Sequence, residues 1–286
     1  MRLRVATYNI RAAIGPGEPF PAGWWRHVKS ERFERIGAIV IGLEADVVLL
    51  QEVSVFNVHG ELVDQPAAIA ASTGMTVRYA AVHAFTLIEP DSGRAVGSAH
   101  WGNAILTRKP LRDSFASGLP VGTDDALVEP AGSGRPLAGI MFGEAPYGSR
   151  EPRCALGGVL DHGDVSVVVV GTHLTYAGAD QRRGQAQALA DLAEAATARA
   201  DGAPVIVGGD FNAPIEADEL EPLTGRFEDA FTATGVPAGD ARRASAGLDR
   251  IDHLLQRGTR PIDCRVATEA GDASDHLPVV ATFAFN

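Results

Sequence analysis

Cysteine is nearly absent: Cys154 and Cys264 are all the chain has, too few for a disulfide framework and without the paired spacing of a thiolate metal site. They read as small core residues, with a single bridge as the alternative. Basic residues are in deficit, 25 Lys and Arg against 36 Asp and Glu, for a net charge of −11. That balance argues against a dedicated nucleic-acid coat, since polyanion binding draws most of its affinity from Lys and Arg neutralising phosphates. It leaves room for an enzyme acting on nucleic acid, because a bound divalent cation can supply positive charge where it is needed. No apolar run reaches the roughly 18 residues of a membrane span. The start, MRLRVATYNI, enters a strand pattern without the apolar core and cleavage site of a signal peptide. A cytoplasmic protein without a transmembrane segment is expected. Fixed-period repeats are lacking too.

What is present is ordinary globular composition, 45% hydrophobic and 21% charged. A chain of 286 residues suits one large α/β domain, 1–286, better than two small ones, and a monomer is expected. Short Val, Ile and Leu runs recur as LRVATYNI, DVVLLQEV, NAILTR, VSVVVVGTHL, APVIVGGDFN, IDHLLQ and VVATFAF, the pattern of buried strands. Helical spacing lies between some of them: Phe33, Ile36, Val40 and Leu43 after Ser30 as N-cap, and Leu189, Leu192 and Ala196 after Asp180. Strand and helix alternate, which predicts an α/β layered fold. Residues 112–151, rich in Gly, Pro and Ser, predict a long surface excursion, and the polar stretch 232–247 another.

Polar residues with chemical uses stand at the strand ends. Asn9 closes the first strand, Glu52 the second, His173 the VVVVGTHL strand, and Asp210 and Asn212 follow VIVGG. Asp252 lies in a strand within RIDHLL, and Asp275 and His276 precede the last strand. Ligands of open α/β sheets gather beyond such ends, so distant segments can converge there. The oxygen donors Asn9, Glu52, Asp210, Asn212 and Asp275 suit a hard cation, Mg²⁺ or Mn²⁺. His173 and His276 remain for phosphate contact and proton work, and the whole set is what metal-assisted phosphoester hydrolysis requires. Taken singly, Asn9 or Glu52 is as well explained as a turn residue or a solvated carboxylate. Asp210 with Asn212 is also an Asx-turn pattern. Asp252 inside an apolar run is harder to explain so, because a lone buried carboxylate is costly.

The ordered series TYNI, LLQEV, GNAILTR, GTHL, GGDFN, RIDHLL and SDHLPV resembles the endonuclease/exonuclease/phosphatase superfamily. That group includes DNase I-like nucleases, abasic-site endonucleases, neutral sphingomyelinases, inositol polyphosphate 5-phosphatases and deadenylases. The resemblance spans nearly the whole chain. It implies a four-layer sandwich of two mixed β-sheets flanked by helices, the DNase I-like fold. It also implies Glu52 as the main metal ligand, helped by Asn9, with Asp275 beside the metal. Asp210 would orient or deprotonate the attacking water while Asn212 donates to a phosphate oxygen, the two pointing the same way from an extended segment. Gly208 and Gly209 would let the backbone approach the phosphate centre. His276 would contact phosphate or shuttle a proton, with Asp252 hydrogen-bonded to it. Asn103 matches a position that organises the phosphate site, and Arg153 is a further phosphate contact or a structural arginine. His173 in THL resembles the DNase I, sphingomyelinase and phosphatase branches more than the abasic-site enzymes.

The expected activity is a divalent-metal-dependent phosphodiesterase or phosphatase, with a small-molecule or lipid-headgroup ester favoured as substrate. An endo- or exonuclease is the alternative, disfavoured by the acidic balance and the lack of a basic stripe with interleaved aromatics. A binding module that has lost its chemistry ranks lower, because Glu52, Asp210, Asn212 and His276 are all retained. Trp24 and Trp25 are expected either to face substrate or to pack over the first helix. His59, His83, His100, His162 and His253 show no mutual ligand spacing and read as surface or core histidines. The acidic run 216–221 reads as the start of a solvated helix.

Overall fold

Runs such as VVLL at 47–50 and VVVV at 167–170 are apolar without alternation, and a strand apolar on both faces must be covered on both. The computed structural model describes residues 1–17, 23–120 and 152–285 and shows what covers them. Its strands are β1 (Arg2–Asn9), β2 (Val47–Val58), β3 (Glu61–Asp64), β4 (Thr76–Ile88), β5 (Ala95–Thr107), β6 (Arg112–Leu119), β7 (Arg153–His162), β8 (Val165–His173), β9 (Val205–Asp210), β10 (Glu228–Asp229), β11 (Asp252–Arg257), β12 (Arg260–Val266) and β13 (Val279–Ala284). The longer helices are α1 (Ser30–Gly42), α2 (Gln65–Thr73) and α3 (Ala179–Arg199). No described helix is long and apolar enough to cross a membrane.

One sheet has the order β12-β13-β1-β2-β5-β4, with β3 paired to β2, and the second has the order β10-β11-β9-β8-β7-β6. Each is mixed, because β1 runs parallel to β2 and β8 to β9 while their other neighbours are antiparallel. Leu3, Val5, Leu49 and Ile105 of the first sheet meet Leu156, Val169, Ile206 and Leu254 of the second in a shared core. Helices α1 and α2 cover the outer face of the first sheet through Ile36, Val40 and Ile69 on Tyr8, Val48 and Leu50. Helix α3 covers the second through Leu189, Ala190 and Ala193 on Val168, Val170 and Val207. Each such Val, Leu or Ile side chain contributes about 1.5–3 kcal/mol by burial. The layers run helix, sheet, sheet, helix: a four-layer sandwich of two mixed sheets. Since β11 and β13 run antiparallel to β9 and β1, the ends of β1 and β9, the start of β11 and the approach to β13 share one edge.

Local expectations differ in four places. Ser30 is the first residue of α1, and Lys29 holds the N-cap position without a side-chain cap. The excursion expected over 112–151 begins as β6, paired antiparallel to β7, and 121–151 lie outside the described residues. At a sheet edge, β6 needs no unbroken apolar pattern. The polar stretch 232–247 turns inward: Arg243 is buried, pairs with Asp229 at 2.8 Å and lies 4.9 Å from the Phe231 ring centroid. The acidic run forms two short helical turns, with Glu216, Glu219 and Glu221 paired to Arg250, Arg182 and Arg183.

Candidate active site

Strand pairing in the second sheet sets three candidate site residues in a row, with His173 opposite Asp210 and Asp210 opposite Asp252. Asp252 Oδ2 lies 2.8 Å from His276 Nδ1 and accepts from Ser245 Oγ at 2.7 Å. His276 Nε2 is 3.7 Å from Asp210 Oδ2. His173 Nε2 is 3.3 Å from that same oxygen and 3.0 Å from Asn212 Nδ2. Asp210 Oδ1 accepts the Asn212 backbone N–H at 2.9 Å, and Asn212 has φ 51°. An Asx-turn therefore closes β9. Strand alternation does not carry Asn212; the turn brings its amide to His173 and to Leu174 O, 2.9 Å away. With its two amide hydrogens so placed, Asn212 positions His173, and the expected donation to phosphate is not available in this arrangement.

The double glycine also has a different cause from the one expected. A Cβ on Gly209, whose φ is 154°, would stand 2.0 Å from Thr172 O, and one on Gly208 would stand 2.5 Å from Leu254 Cδ2. Both glycines let β9 close against its neighbours in the sheet, which brings Asp210 to His173.

In the first sheet β2 does not end at Glu52. It runs on to Val58, with a register shift against β5 between Leu50 and Val53, and Glu52 has φ 55°. Such a bulge re-aims a side chain in mid-strand, here toward Asn9. Asn9 Nδ2 donates to Glu52 Oε1 at 3.0 Å and to Asp210 Oδ2 at 3.1 Å, while Asn9 Oδ1 accepts from Arg11 N at 3.0 Å. Asn9 thus clamps two carboxylates from two sheets and turns its nitrogen to them, not the oxygen expected of a metal ligand. Asp275 pairs with Arg11 Nε at 3.1 Å and accepts from Ser274 Oγ at 3.1 Å. Asn103 does not line the cavity described next: its amide nitrogen donates to Cys154 O at 3.1 Å and ties β5 to β7.

These residues open onto a cavity of about 430 Å³. Glu52, Arg153, His173, Asp210, Asn212 and His276 line its polar side, and Trp24, Trp25, Leu87 and Trp101 its apolar side, with His83, Thr86 and Tyr176 also on the wall. Arg153, expected as a phosphate contact or a structural arginine, lines the cavity; so does His83, expected as a surface or core histidine, while Trp101 and Tyr176 carry no motif in the sequence. Trp24 packs on Phe56 and Trp101, each at 5.2 Å between ring centroids, and not over α1. His253 is a core histidine hydrogen-bonded to Ala213 O, while Cys154 and Cys264 are buried free thiols.

Burial, followed by the charge of Asp252, pushes the Asp210 carboxyl up to about 7. Burial alone would lower His276, but the charges of Asp252 and Asp210 outweigh it and push the imidazole up to about 10. Burial raises Glu52. His173 is held well below its ordinary value by burial, with Arg153 and His276 adding to the effect. Burial and Arg153 bring His83 down to about 3.

The last shift predicts acid sensitivity. Below its ordinary value of 6.5 the unfolded chain binds a proton that folded His83 refuses, so stability is lost as pH falls from about 6.5 toward 3. The slope is about 1.4 kcal/mol per pH unit for each such group. His173 and His253 are lowered and act in the same direction; His276 is raised, and its contribution is lost only as pH climbs. Urea midpoints at pH 7, 5.5 and 4.5 should fall less steeply in His83→Gln than in the parent. Parallel lines would assign the loss to the other two histidines.

With this geometry in hand, a family model described as Endonuclease/Exonuclease/phosphatase family matches residues 6–276. The chain belongs to the Endonuclease/Exonuclease/phosphatase family. No curated protein matches it. Among solved structures it is similar to an endonuclease/exonuclease/phosphatase from Beutenbergia cavernae, at 21% identity and TM-score 0.70, covering 100% of this chain and 72% of that one. It is similar to the human Nocturnin catalytic domain with bound sulfate, at 18% identity and TM-score 0.66, covering 100% and 95%. A mannosyl-6-phosphatase from Bacteroides thetaiotaomicron matches at 17% identity and TM-score 0.60, covering 99% and 100%. At these identities the likeness is one of fold.

Proposed function

We propose that this family member, residues 1–286 acting as one domain, is a divalent-cation-dependent phosphoester hydrolase that uses a water activated beside Asp210. The observation that carries the proposal is the clamp of Asn9 on Glu52 and Asp210, facing His276 and Arg153 across one cavity. The donor chemistry fits a hard cation. Burial raises both carboxyls, so each is costly as an anion, and oxygen donors of this kind favour Mg²⁺ or Mn²⁺. Asp210, Asp252 and His276 also bring donor atoms within 4.8 Å of one another, but Asp252 is committed to His276 and Ser245. Glu52 is the better ligand, with Asp275, whose charge reaches it. The bound ion would supply positive charge to the phosphate oxygens.

The chain's own residues do the remaining chemistry. Asp210, at about 7, is matched to accept a proton from water near neutral pH. His276, kept protonated by Asp252 and held by it in one orientation, donates from Nε2 to a phosphate oxygen. Arg153 adds a second cationic contact. His173, held by Asn212 and kept neutral by burial, stands at the same wall. A small-molecule or lipid-headgroup ester is favoured over nucleic acid by the −11 net charge and by a cavity sized for small ligands. The mannosyl-6-phosphatase among the structural relatives fits that preference.

Nitrophenol release from p-nitrophenyl phosphate and bis(p-nitrophenyl) phosphate tests this directly. Turnover is expected with Mg²⁺ or Mn²⁺, is abolished by EDTA and returns on adding the metal back. The diester-to-monoester ratio sorts phosphodiesterase from phosphatase. Release that is indifferent to EDTA, or equal in Asp210→Asn, would overturn the proposal.

A further inference from the structure

We infer that the apolar end of this cavity is a subsite for an uncharged ring carried by the substrate's esterified group, seated among Trp24, Trp25, Trp101 and Leu87. The inference rests on the phosphoester proposal for the polar end, and goes beyond it in naming the substrate class: small phosphoesters of aryl or similarly flat, neutral ring groups.

The placement of tryptophan is the first support. The chain has three, in a composition only 6% aromatic, and all three line this one cavity. Trp24 and Trp25 are buried in an apolar cluster with Phe56 and Leu87, and the cavity that reaches the carboxylate and histidine residues opens on that cluster. The second support is rigidity. Trp24 and Trp25 sit on the short turn Trp24–His27, which begins after Gly23 at φ 68°. Trp24 meets Trp25 edge to face at 84°, Phe56 at 73° and Trp101 at 80°. Rings locked this way present faces and edges at fixed angles, the geometry that favours a further aromatic ring, and such pairs contribute beyond plain area burial. A wall already ordered also spares the ligand the entropy cost of ordering it.

Charge and size narrow the occupant. Among the described lining residues the carboxylates are Glu52 and Asp210, which belong to the clamp at the polar end. Among the described residues none at the aromatic end is acidic. The charge of Arg153 reaches far enough to help strip the proton from His83 on the same wall. An organic cation would enter against that charge, whereas a neutral ring would not. About 430 Å³ accommodates a phosphate and one ring system at the scale of small-ligand sites. Tyr176, 55% exposed, is a further aromatic side chain on the lining.

Because every tryptophan of the chain lies here, intrinsic fluorescence reports on the subsite without any catalysis. The test titrates the protein, in Mn²⁺ and again in EDTA, with benzylphosphonate, methylphosphonate and phosphocholine, and repeats the titrations by calorimetry in Trp25→Ala, Trp101→Ala and Trp101→Phe. Benzylphosphonate is expected to quench tryptophan emission and to bind about tenfold more tightly than methylphosphonate. The preference should collapse toward parity in the alanine variants and survive largely in Trp101→Phe. Equal affinity for the two phosphonates would overturn the inference, as would tighter binding of phosphocholine, which would make the wall a cage for an organic cation. Failure of the underlying phosphoester proposal looks different: none of the three anions binds and no ester turns over. Circular dichroism of each variant separates lost contact from lost fold, and Trp101→Phe keeps the test open should the alanine variants unfold.

Discussion

Asp210→Asn is expected to lower turnover of any accepted phosphoester by about 10²- to 10⁴-fold while leaving the fold intact. The substitution spares the turn: an asparagine Oδ1 can accept the Asn212 N–H as Asp210 Oδ1 does at 2.9 Å, so β9 still closes. It destroys the other face. Asp210 Oδ2 accepts from Asn9 Nδ2 at 3.1 Å and faces His173 Nε2 and His276 Nε2 at 3.3 and 3.7 Å. An amide nitrogen there sets donor against donor and leaves nothing to take a proton from water. Removing a buried carboxylate opposed by the charge of Asp252 stabilises, and the donor–donor contacts at Asn9 and His276 destabilise, so the net change in stability should be small. His276 loses one of the two carboxylates that hold it protonated, so residual activity should decline at a lower pH than in the parent. Thermal melts with kcat and kcat/KM across pH 6–10 check all three effects. Parent-like kcat in a folded variant would remove Asp210 from the chemistry. Asp210→Glu, which keeps the charge but lengthens the arm, should recover little, since both the turn and the clamp depend on the shorter side chain.

The layered fold was legible because its cause is local: unbroken apolar runs demand cover on both faces, and helical spacing between them supplies it. Residues at true strand ends were legible for the same reason, as with Asn9, His173 and Asp210, where apolar runs stop. What escaped depends on departures from regular strand geometry. Glu52 was found, but as a strand end, because a bulge in mid-strand leaves no mark in the apolar pattern of LLQEV. His83 and Trp101 are register partners across β4 and β5, just past a second register shift at Ala81/His83. Neither residue carries a motif, and only tertiary packing brings them to the cavity. Ser245 and Arg11 stand one contact outside the candidate site, on Asp252 and Asp275. The stretch holding Ser245 reads as surface because its polar residues are satisfied inside by partners far along the chain, such as Asp229 for Arg243. Asn103 shows the opposite case: a residue matched to a motif but spent on joining the sheets.

Gly209→Ala should be the most destabilising small substitution in the site, at about 3 kcal/mol or more. Two penalties coincide. At φ 154° an L side chain is strained whatever the space around it, and the added Cβ would lie 2.0 Å from Thr172 O, a backbone atom that cannot swing away. Relief requires β9 to separate from β8, where Gly209 pairs with Thr172 and Asp210 with His173. The strands are central to their sheet and carry Val205, Ile206 and Val207 into two cores, so separation exposes buried aliphatic surface on both faces. Gly239→Ala is the control: among the described residues nothing lies within 4 Å of its added Cβ and its φ is unstrained, so a change within about 0.5 kcal/mol is expected. Urea unfolding of both variants measures the difference. Activity gives a second readout below the melting range, since a shift of about 1 Å in a catalytic group can cost about 10²-fold and the next residue is Asp210, the proposed base. If Gly209→Ala were as stable as Gly239→Ala, β9 could not lie against β8 in this register, and the row His173, Asp210, Asp252 would lose the strand pairing that assembles it.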